Sequence, residues 1–109
     1  MNQLRQVVEY LEAGVSPFGR WFAALNAPAA AKVATALYRL EQGHLGNVKA
    51  VGRGVCEYKI DFGPGYRLYF GQDGDRVVVL LAGGSKKTQN LDIPAAQRRW
   101  GVYKTRKTR

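Results

Sequence analysis

A chain of 109 residues is long enough for one domain with a single hydrophobic core and too short for two. Hydrophobic residues make up 46% and charged residues 23%, which is typical of globular proteins and not of disordered ones. No apolar run approaches the roughly 18–20 residues of a membrane-spanning helix, and the N-terminal residues lack the pattern of a signal peptide. The single cysteine, Cys56, excludes an internal disulfide and a multi-cysteine metal cluster. We therefore expect one reduced, cytoplasmic domain with no membrane contact.

The net charge is large and unevenly distributed. Lys and Arg number 17 against 8 Asp and Glu, so the formal net charge is +9. Residues 1–84 account for +2, whereas residues 85–109 hold eight basic residues against Asp92 alone, a net of +7. A small domain that concentrates positive charge in this way is typical of proteins that bind a polyanion, either nucleic acid or an acidic protein. The last six residues, KTRKTR, fit a solvated basic tail equally well.

The N-terminal half predicts one strand and two helices. Residues 3–11 are rich in valine and tyrosine and are expected to form a strand. Ser16 and Pro17 have the residue types of a helix N-cap and first turn, and four apolar residues follow at helical spacing: Phe18, Trp21, Phe22 and Leu25. A break at residues 26–28 precedes a second amphipathic helix, for which Gly43 is the expected C-cap. Two helices joined by so short a break predict an antiparallel helical hairpin.

The C-terminal half predicts a meander of strands and a final helix. Residues 44–55 contain three glycines and no sustained period, which favours a loop. Apolar and polar residues alternate over 56–62 and 66–70, and both faces of 76–82 are apolar, which favours a central strand ended by Gly83 and Gly84. Asp92 and Pro94 begin the last helix. The predicted fold class is α+β: an N-terminal strand, an antiparallel helical hairpin packed on a mainly antiparallel sheet of about four strands, and a C-terminal helix.

Two segments carry a resemblance to a known family. They are LYRLEQGHLGNVKAVGRGVCEYKIDFGPGYRLYF and VVVLLAGGSKKTQNLDIPAA, in which the motifs RLxxG, VGxGVxExxID, GPGYRLYF and GGxKxxQ follow in order. In this order the motifs resemble the RelE/ParE superfamily of bacterial toxins, and within it the HigB-like branch of phage-derived addiction module killer proteins. The resemblance covers about residues 3–100. It implies a single RelE-like toxin domain over residues 1–103, followed by a basic tail, 104–109, that we expect to be disordered.

The resemblance implies the toxin of a type II toxin–antitoxin module, neutralised by a cognate antitoxin protein. RelE and HigB relatives cleave mRNA in the ribosomal A site. This implies a metal-independent endoribonuclease (an mRNA interferase) that needs no cofactor and has the ribosome and mRNA as partners. ParE relatives share the fold and act on DNA gyrase, so a gyrase inhibitor without catalysis is an alternative. A third alternative is a non-toxic nucleic-acid-binding protein of the same fold.

Metal-free RNA cleavage needs cations for the phosphorane charge, a base for the 2′-hydroxyl and an acid for the leaving oxygen. The alternation over 66–70 places Arg67 off the core face, and the resemblance implies that this arginine of GYR is an active-site residue. Its other interpretation is a salt bridge to Asp61 or Glu57. Lys59, in YKID, matches the first lysine of the family's YKIK, whereas Asp61 replaces the second and reverses its charge. Asp61 then takes the role of the base or weakens ribonuclease activity, or it forms a surface ion pair with Lys59.

The remaining predicted site residues are basic. Lys86 and Lys87 fall where the family has a basic loop after a strand, and at least one of them is expected to contact phosphate. The other candidates for nucleic-acid binding are Lys49, Arg53, Arg98 and Arg99. The general acid stays unassigned, because residues 90–92 offer neither histidine nor tyrosine and Tyr103 lies further along the chain. His44 is expected to be solvated or to cap a helix, and no metal site is predicted.

Overall fold

The computed structural model describes residues 4–108; the start of the predicted first strand, at residue 3, and the last residue of the predicted tail lie outside the described residues. In chain order the elements are β1 (Gln6–Glu9), α1 (Pro17–Ala23), α2 (Ala27–Glu41), β2 (Val48–Ala50), β3 (Val55–Ile60), β4 (Tyr66–Asp73), β5 (Val77–Ser85), a 3₁₀ turn (Lys86–Thr88) and α3 (Gln89–Lys107). Within this range, three helices and a five-stranded sheet confirm the predicted α+β class and the C-terminal helix.

The five strands form one mixed sheet in the order β1–β5–β4–β3–β2. β1 runs parallel to β5, and the other neighbouring pairs are antiparallel. The sheet has one strand more than predicted, because β2 forms within the segment predicted as a loop. Val48 pairs there with Tyr58 of β3, and Ala50 pairs with Cys56. A strand of three residues is too short to show a period of two, so pairing with β3 defines it and the sequence pattern does not.

Helices cover both faces of the sheet. α1 and α2 pack on one face, where Val33 and Leu40 are buried in a cluster with Leu68 of β4. α3 packs on the opposite face, where Trp100 is buried with Tyr69 of β4. Alternate residues of β4 are therefore buried on both sides of the sheet, although the alternation over 66–70 predicts one core face only. None of the helices within residues 4–108 is long and apolar enough to cross a membrane.

The predicted start of α1 is confirmed, and α2 begins at Ala27, within the predicted break at residues 26–28. Ser16 is the N-cap of α1, and its Oγ accepts a hydrogen bond of 2.8 Å from the Gly19 N–H. Asn26 is the N-cap of α2, and its Oδ1 accepts a hydrogen bond of 3.0 Å from the Ala29 N–H. These side chains satisfy N–H groups that have no partner inside the helix. Gly43 follows α2 with a φ of 79°, the left-handed conformation that commonly ends a helix.

β5 continues through Gly83 and Gly84, which the sequence predicts to end the strand. A Cβ atom at Gly83 would overlap the indole ring of Trp21 in α1. A Cβ atom at Gly84 would overlap the Asp92 carboxylate of α3. The two glycines thus let a helix approach each face of the sheet closely, which is a packing requirement and not a turn signal.

α3 ends at Lys107, so residues 104–107, predicted as part of a disordered tail, are helical instead. The Tyr103 hydroxyl donates a hydrogen bond of 2.6 Å to Asp73 Oδ2, and Lys107 forms an ion pair with the same carboxylate. Arg106 Nη1 donates to the Leu11 carbonyl at 2.9 Å. These partners lie far away in the sequence, and for this reason the composition of the tail alone does not predict an ordered helix.

Candidate active site

A pocket of about 480 Å³ opens at the end of the sheet where β3 ends and β4 begins. It is lined by four residues that the sequence predicts as site residues and by four others: Lys49, Lys59, Asp61 and Arg67, then Gly46, Asn47, Val48 and Glu57. Lys59 stands opposite Arg67, and Lys49 stands opposite Glu57, in the antiparallel register of β2, β3 and β4. Cross-strand partners project from the same face of a sheet, so the fold brings these charged groups together.

Arg67 is buried, which corrects the expectation that it lies off the core. Only 6% of its surface is exposed, because the face of β4 that carries Arg67 and Tyr69 is covered by α3. Its Nη1 donates a hydrogen bond of 2.9 Å to the Gly65 carbonyl, and its Nε lies 3.8 Å from Glu57 Oε2. Of the two salt bridges that the sequence left open, the one to Glu57 forms. The guanidinium therefore has a fixed position at the wall of the pocket.

Glu57 is a central site residue that the sequence reasoning considered only as a partner for Arg67. Its carboxylate is 2% exposed and accepts a hydrogen bond of 2.7 Å from Gln89 Nε2, at the start of α3. Lys49 Nζ lies 3.8 Å from Glu57 Oε1, and Arg67 lies nearer the other carboxylate oxygen, Oε2. A buried carboxylate needs such partners, since an unpaired charge in the interior is costly. Glu57 and Gln89 are the glutamate and glutamine of the motifs VGxGVxExxID and GGxKxxQ.

Tyr69 stands directly opposite Glu57 in the sheet and is fully buried. Burial raises the pKa of its phenol well above the usual value, and the nearby carboxylates of Glu57 and Asp92 raise the pKa further. Its hydroxyl makes no hydrogen bond to another described residue that meets normal geometry. Because this phenol is buried and does not line the pocket, it is not placed to donate a proton to a substrate there.

Lys59 and Asp61 are exposed charged groups of the pocket, as is Lys49. Neither Lys59 nor Asp61 takes part in an ion pair within 4.0 Å among residues 4–108, so the predicted surface pair between them does not form. Lys59 is at the end of β3 and Asp61 follows the strand directly. The pocket thus presents the ammonium groups of Lys49 and Lys59 and the carboxylate of Asp61 to solvent beside the buried Arg67 guanidinium.

Lys86 and Lys87 lie in the 3₁₀ turn after β5 and are exposed. The Lys86 N–H donates a hydrogen bond of 2.8 Å to the Gly65 carbonyl, which also accepts from Arg67. The turn is therefore attached to the same end of the sheet as the pocket. Neither lysine lines the pocket itself, so their side chains extend the positive surface beside it.

The other predicted nucleic-acid-binding residues lie elsewhere. Arg53 is in the turn between β2 and β3, at the end of β3 remote from the pocket, and has a left-handed φ of 56°. Arg99 is engaged inside the molecule, because its Nη1 donates to the Leu81 carbonyl at 2.9 Å and its Nε lies 3.7 Å from Glu12 Oε1. Arg98 is exposed on α3. Four residues were predicted to bind nucleic acid outside the catalytic set: Lys49, Arg53, Arg98 and Arg99. Of these, Lys49 lines the pocket and the other three do not.

No histidine or tyrosine lines the pocket, so the structure adds no candidate for the general acid. His44 is exposed just after α2. Tyr103 is bonded to Asp73, which raises the pKa of Tyr103 to about 12. Asp73 is at the end of β4 remote from Arg67, so Tyr103 cannot serve the pocket.

Comparisons with known proteins assign the family. The family model of the phage-derived protein Gp49-like (DUF891) matches residues 20–100. An uncharacterized protein of Haemophilus influenzae is 41% identical over 81 residues, which cover 73% of this chain and 82% of the relative. The chain therefore belongs to the Gp49-like family, a family of toxin–antitoxin module toxins. The matched segment includes every residue of the pocket and both lysines of the 3₁₀ turn.

Proposed function

We propose that this protein is the toxin of a type II toxin–antitoxin module and that it cleaves ribosome-bound mRNA in the pocket at the end of the sheet. Family membership supports the first part. The proposed mRNA cleavage is supported by one observation, that Lys59, Asp61 and Arg67 line the same pocket. A guanidinium and an ammonium group are suited to a phosphate that gains charge in the transition state, and a free carboxylate is suited to proton abstraction.

The proposed reaction needs no metal ion. The ribose 2′-oxygen loses its proton to Asp61 and attacks the neighbouring phosphorus, while Arg67 and Lys59 stabilise the negative charge of the phosphorane. The bond from phosphorus to the 5′-oxygen then breaks, which leaves a 2′,3′-cyclic phosphate and a 5′-hydroxyl. The proton for this leaving oxygen comes from the Lys59 ammonium group or from solvent.

Asp61 suits the role of the base better than Glu57 does. Asp61 is exposed at the pocket and makes no ion pair within 4.0 Å among the described residues. Glu57 is buried and accepts a hydrogen bond from Gln89, and its carboxylate lies beside Arg67. A carboxylate held in this way orients its cation instead of receiving a proton from substrate. We therefore assign Asp61 to catalysis and Glu57 to the positioning of Arg67.

A second candidate is a gyrase inhibitor of the ParE kind that performs no catalysis. The absence of an imidazole or phenol among the pocket residues favours it, because a strong leaving-group acid is then missing. In this case the same cations would contact a protein or DNA surface. The two functions differ in the damage that the toxin causes in cells.

The experiment compares Lys59→Ala and Asp61→Asn with wild type by growth after induction and by mapping of mRNA 5′ ends. Both side chains are exposed, so the variants should fold. We expect each to lower the cleavage rate about a hundredfold or more. Arg76→Ala is the matched control, since Arg76 is an exposed cation at the opposite end of β5. Intact mRNA together with gyrase-linked DNA breaks in wild-type cells would instead support the second candidate.

A further inference from the structure

A second groove lies between α2 and the end of β3, on the face of the sheet opposite to the pocket. It has a volume of about 260 Å³ and shares Asn47, Lys59 and Asp61 with the pocket. One wall is α2, and the other is the end of β3 with the residues after it, up to Phe62. The pocket and the groove therefore meet at the end of β3, where Lys59 and Asp61 line both.

The α2 wall presents a row of side chains that the core does not require. Lys32, Thr35, Ala36 and Arg39 line the groove at positions i, i+3, i+4 and i+7, which share one face of a helix. Ala36 is buried and forms the floor, whereas Lys32, Thr35 and Arg39 are exposed. Lys32 and Arg39 are seven residues apart, so their Cα atoms lie roughly 10 Å apart along the helix. This distance equals about three nucleotides at a stacked spacing of roughly 3.4 Å.

The opposite wall offers an aromatic ring. Phe62 is half-buried beside the groove, and Lys32 Nζ lies 5.3 Å from the centre of its ring. An aromatic face next to a cation is the combination with which proteins hold unpaired bases and their phosphates. The charged groups of the groove are three cations and one carboxylate: Lys32, Arg39 and Lys59 against Asp61.

We infer that this groove holds the single-stranded RNA nucleotides that flank the scissile phosphate. This inference rests on the proposed ribonuclease function, and it extends the site by the cations Lys32 and Arg39 and the ring of Phe62. The residues shared with the pocket favour RNA over an acidic peptide, because a strand whose phosphate reaches Lys59 can pass the end of β3 and enter the groove. The groove is the side where further cations and an aromatic ring follow.

The test measures binding of fluorescein-labelled oligoribonucleotides by anisotropy, with a 2′-deoxy residue at the cleavage position to prevent turnover. One probe is a trinucleotide that fills the pocket, and the other is a strand of about nine nucleotides. The variant is Lys32→Ala/Arg39→Ala. The control is Arg76→Ala/Lys104→Ala, which also removes one lysine and one arginine, both exposed and outside the groove.

We expect the variant to bind the longer strand about tenfold more weakly and the trinucleotide as wild type does. The slope of log K against log salt for the longer strand should fall by about 1.4, because two phosphate contacts contribute roughly 0.7 each for single strands. Phe62→Leu should weaken binding of the longer strand but not of the trinucleotide, since it removes the stacking surface and keeps an apolar side chain.

Three outcomes would overturn the inference. The variant binds the longer strand like wild type, whether or not it loses a glutamate-rich peptide of similar charge, or it loses affinity for both RNA probes equally. The absence of RNA binding by wild type would also overturn it. Failure of the ribonuclease function itself is seen separately, in the mapping of mRNA ends from cells.

Discussion

Arg67 and Glu57 form a buried pair, and this changes what a substitution at Arg67 measures. Only 7% of the Arg67 side chain and 2% of the Glu57 side chain are exposed, and Nε lies 3.8 Å from the carboxylate. Removing one member of a buried pair leaves the other without a partner, which typically costs about 3–5 kcal/mol. Loss of toxicity in an Arg67 variant can therefore reflect an unstable protein as readily as a missing catalytic cation.

We predict that Arg67→Met lowers the free energy of unfolding by about 3 kcal/mol, because the uncharged side chain leaves Glu57 buried beside Lys49 and Gln89 alone. Glu57→Gln/Arg67→Met should be at least about 1 kcal/mol more stable than Arg67→Met. Urea unfolding of the single and double variants measures both values. Arg76→Met, at an exposed position, should change stability by less than about 0.5 kcal/mol.

Additive effects of Glu57→Gln and Arg67→Met would show that the two side chains do not stabilise each other. A stable Arg67→Met protein would show that buried Glu57 does not need Arg67 as its partner.

For single residues, the sequence predicts several side chains that line the pocket but not which of them are buried or which contact one another. Lys59 and Asp61 are predicted from the resemblance of YKID to the family's YKIK, and Arg67 from the resemblance of GYR, and all three line the pocket. The burial of Glu57 and Arg67 was not predictable from alternation, since it depends on α3 covering the second face of the sheet. That contact joins residues that are far apart in the sequence, such as Glu57 and Gln89.

At the scale of elements, the C-terminal end of α3 is held by the hydrogen bond of Arg106 to the Leu11 carbonyl and by the carboxylate of Asp73. Asp73, at the end of β4, accepts a hydrogen bond from the Tyr103 hydroxyl and pairs with Lys107. The Lys107 ammonium group, followed by the Tyr103 hydroxyl, lowers the pKa of Asp73 below its ordinary value of 3.8. A lowered pKa in the folded state means that the contact stabilises the fold above the ordinary pKa and is lost as the pH falls through the lowered one.

We therefore predict that the last turn of α3 is ordered at neutral pH and frays reversibly in acid, below pH 3.8. Backbone chemical shifts of residues 104–108, followed by NMR from pH 6 to pH 2, measure this change. Asp73→Asn should remove the pH dependence and leave the turn frayed throughout. Asp75→Asn is the matched control in the adjacent turn and should behave like wild type. An Asp73→Asn protein that keeps the acid transition would show that another carboxylate anchors the helix.

The elements themselves were predicted where their signals are local. Side-chain caps at Ser16 and Asn26 and the apolar spacing that follows them specify α1 and α2 without help from the rest of the chain. β2 and the end of α3 were not predicted, because β2 depends on its pairing with β3 and the last turn of α3 on Asp73. The two glycines of β5 look like a turn in the sequence and are needed instead for helix packing.

At the scale of the whole molecule, only part of the positive charge that the sequence concentrates in residues 85–109 is free. Three of its basic residues contact other parts of the chain: Arg99 pairs with Glu12, Arg106 with the Leu11 carbonyl and Lys107 with Asp73. Lys86 and Lys87 are exposed beside the pocket and make no ion pair within 4.0 Å among the described residues, as is true of Lys59. A polyanion is therefore attracted to the pocket end of the sheet.

We predict that the cognate antitoxin binds this end through an acidic segment, so its affinity should fall as salt is added. Lys86→Ala/Lys87→Ala should weaken the complex about fivefold, or about 1 kcal/mol, as expected for two exposed charge pairs. It should also make the affinity less dependent on salt, because fewer charges remain to be screened. Isothermal titration calorimetry with purified antitoxin at several salt concentrations measures both effects.

The control for this prediction is Arg76→Ala/Lys104→Ala, which lowers the net charge of +9 by the same amount away from the pocket end. If general charge attraction is sufficient, both double variants lose affinity equally. If the antitoxin contacts the pocket end, the lysine pair of the 3₁₀ turn has the larger effect. A complex whose affinity is unchanged between low and about molar ionic strength would contradict an electrostatic interface at any position.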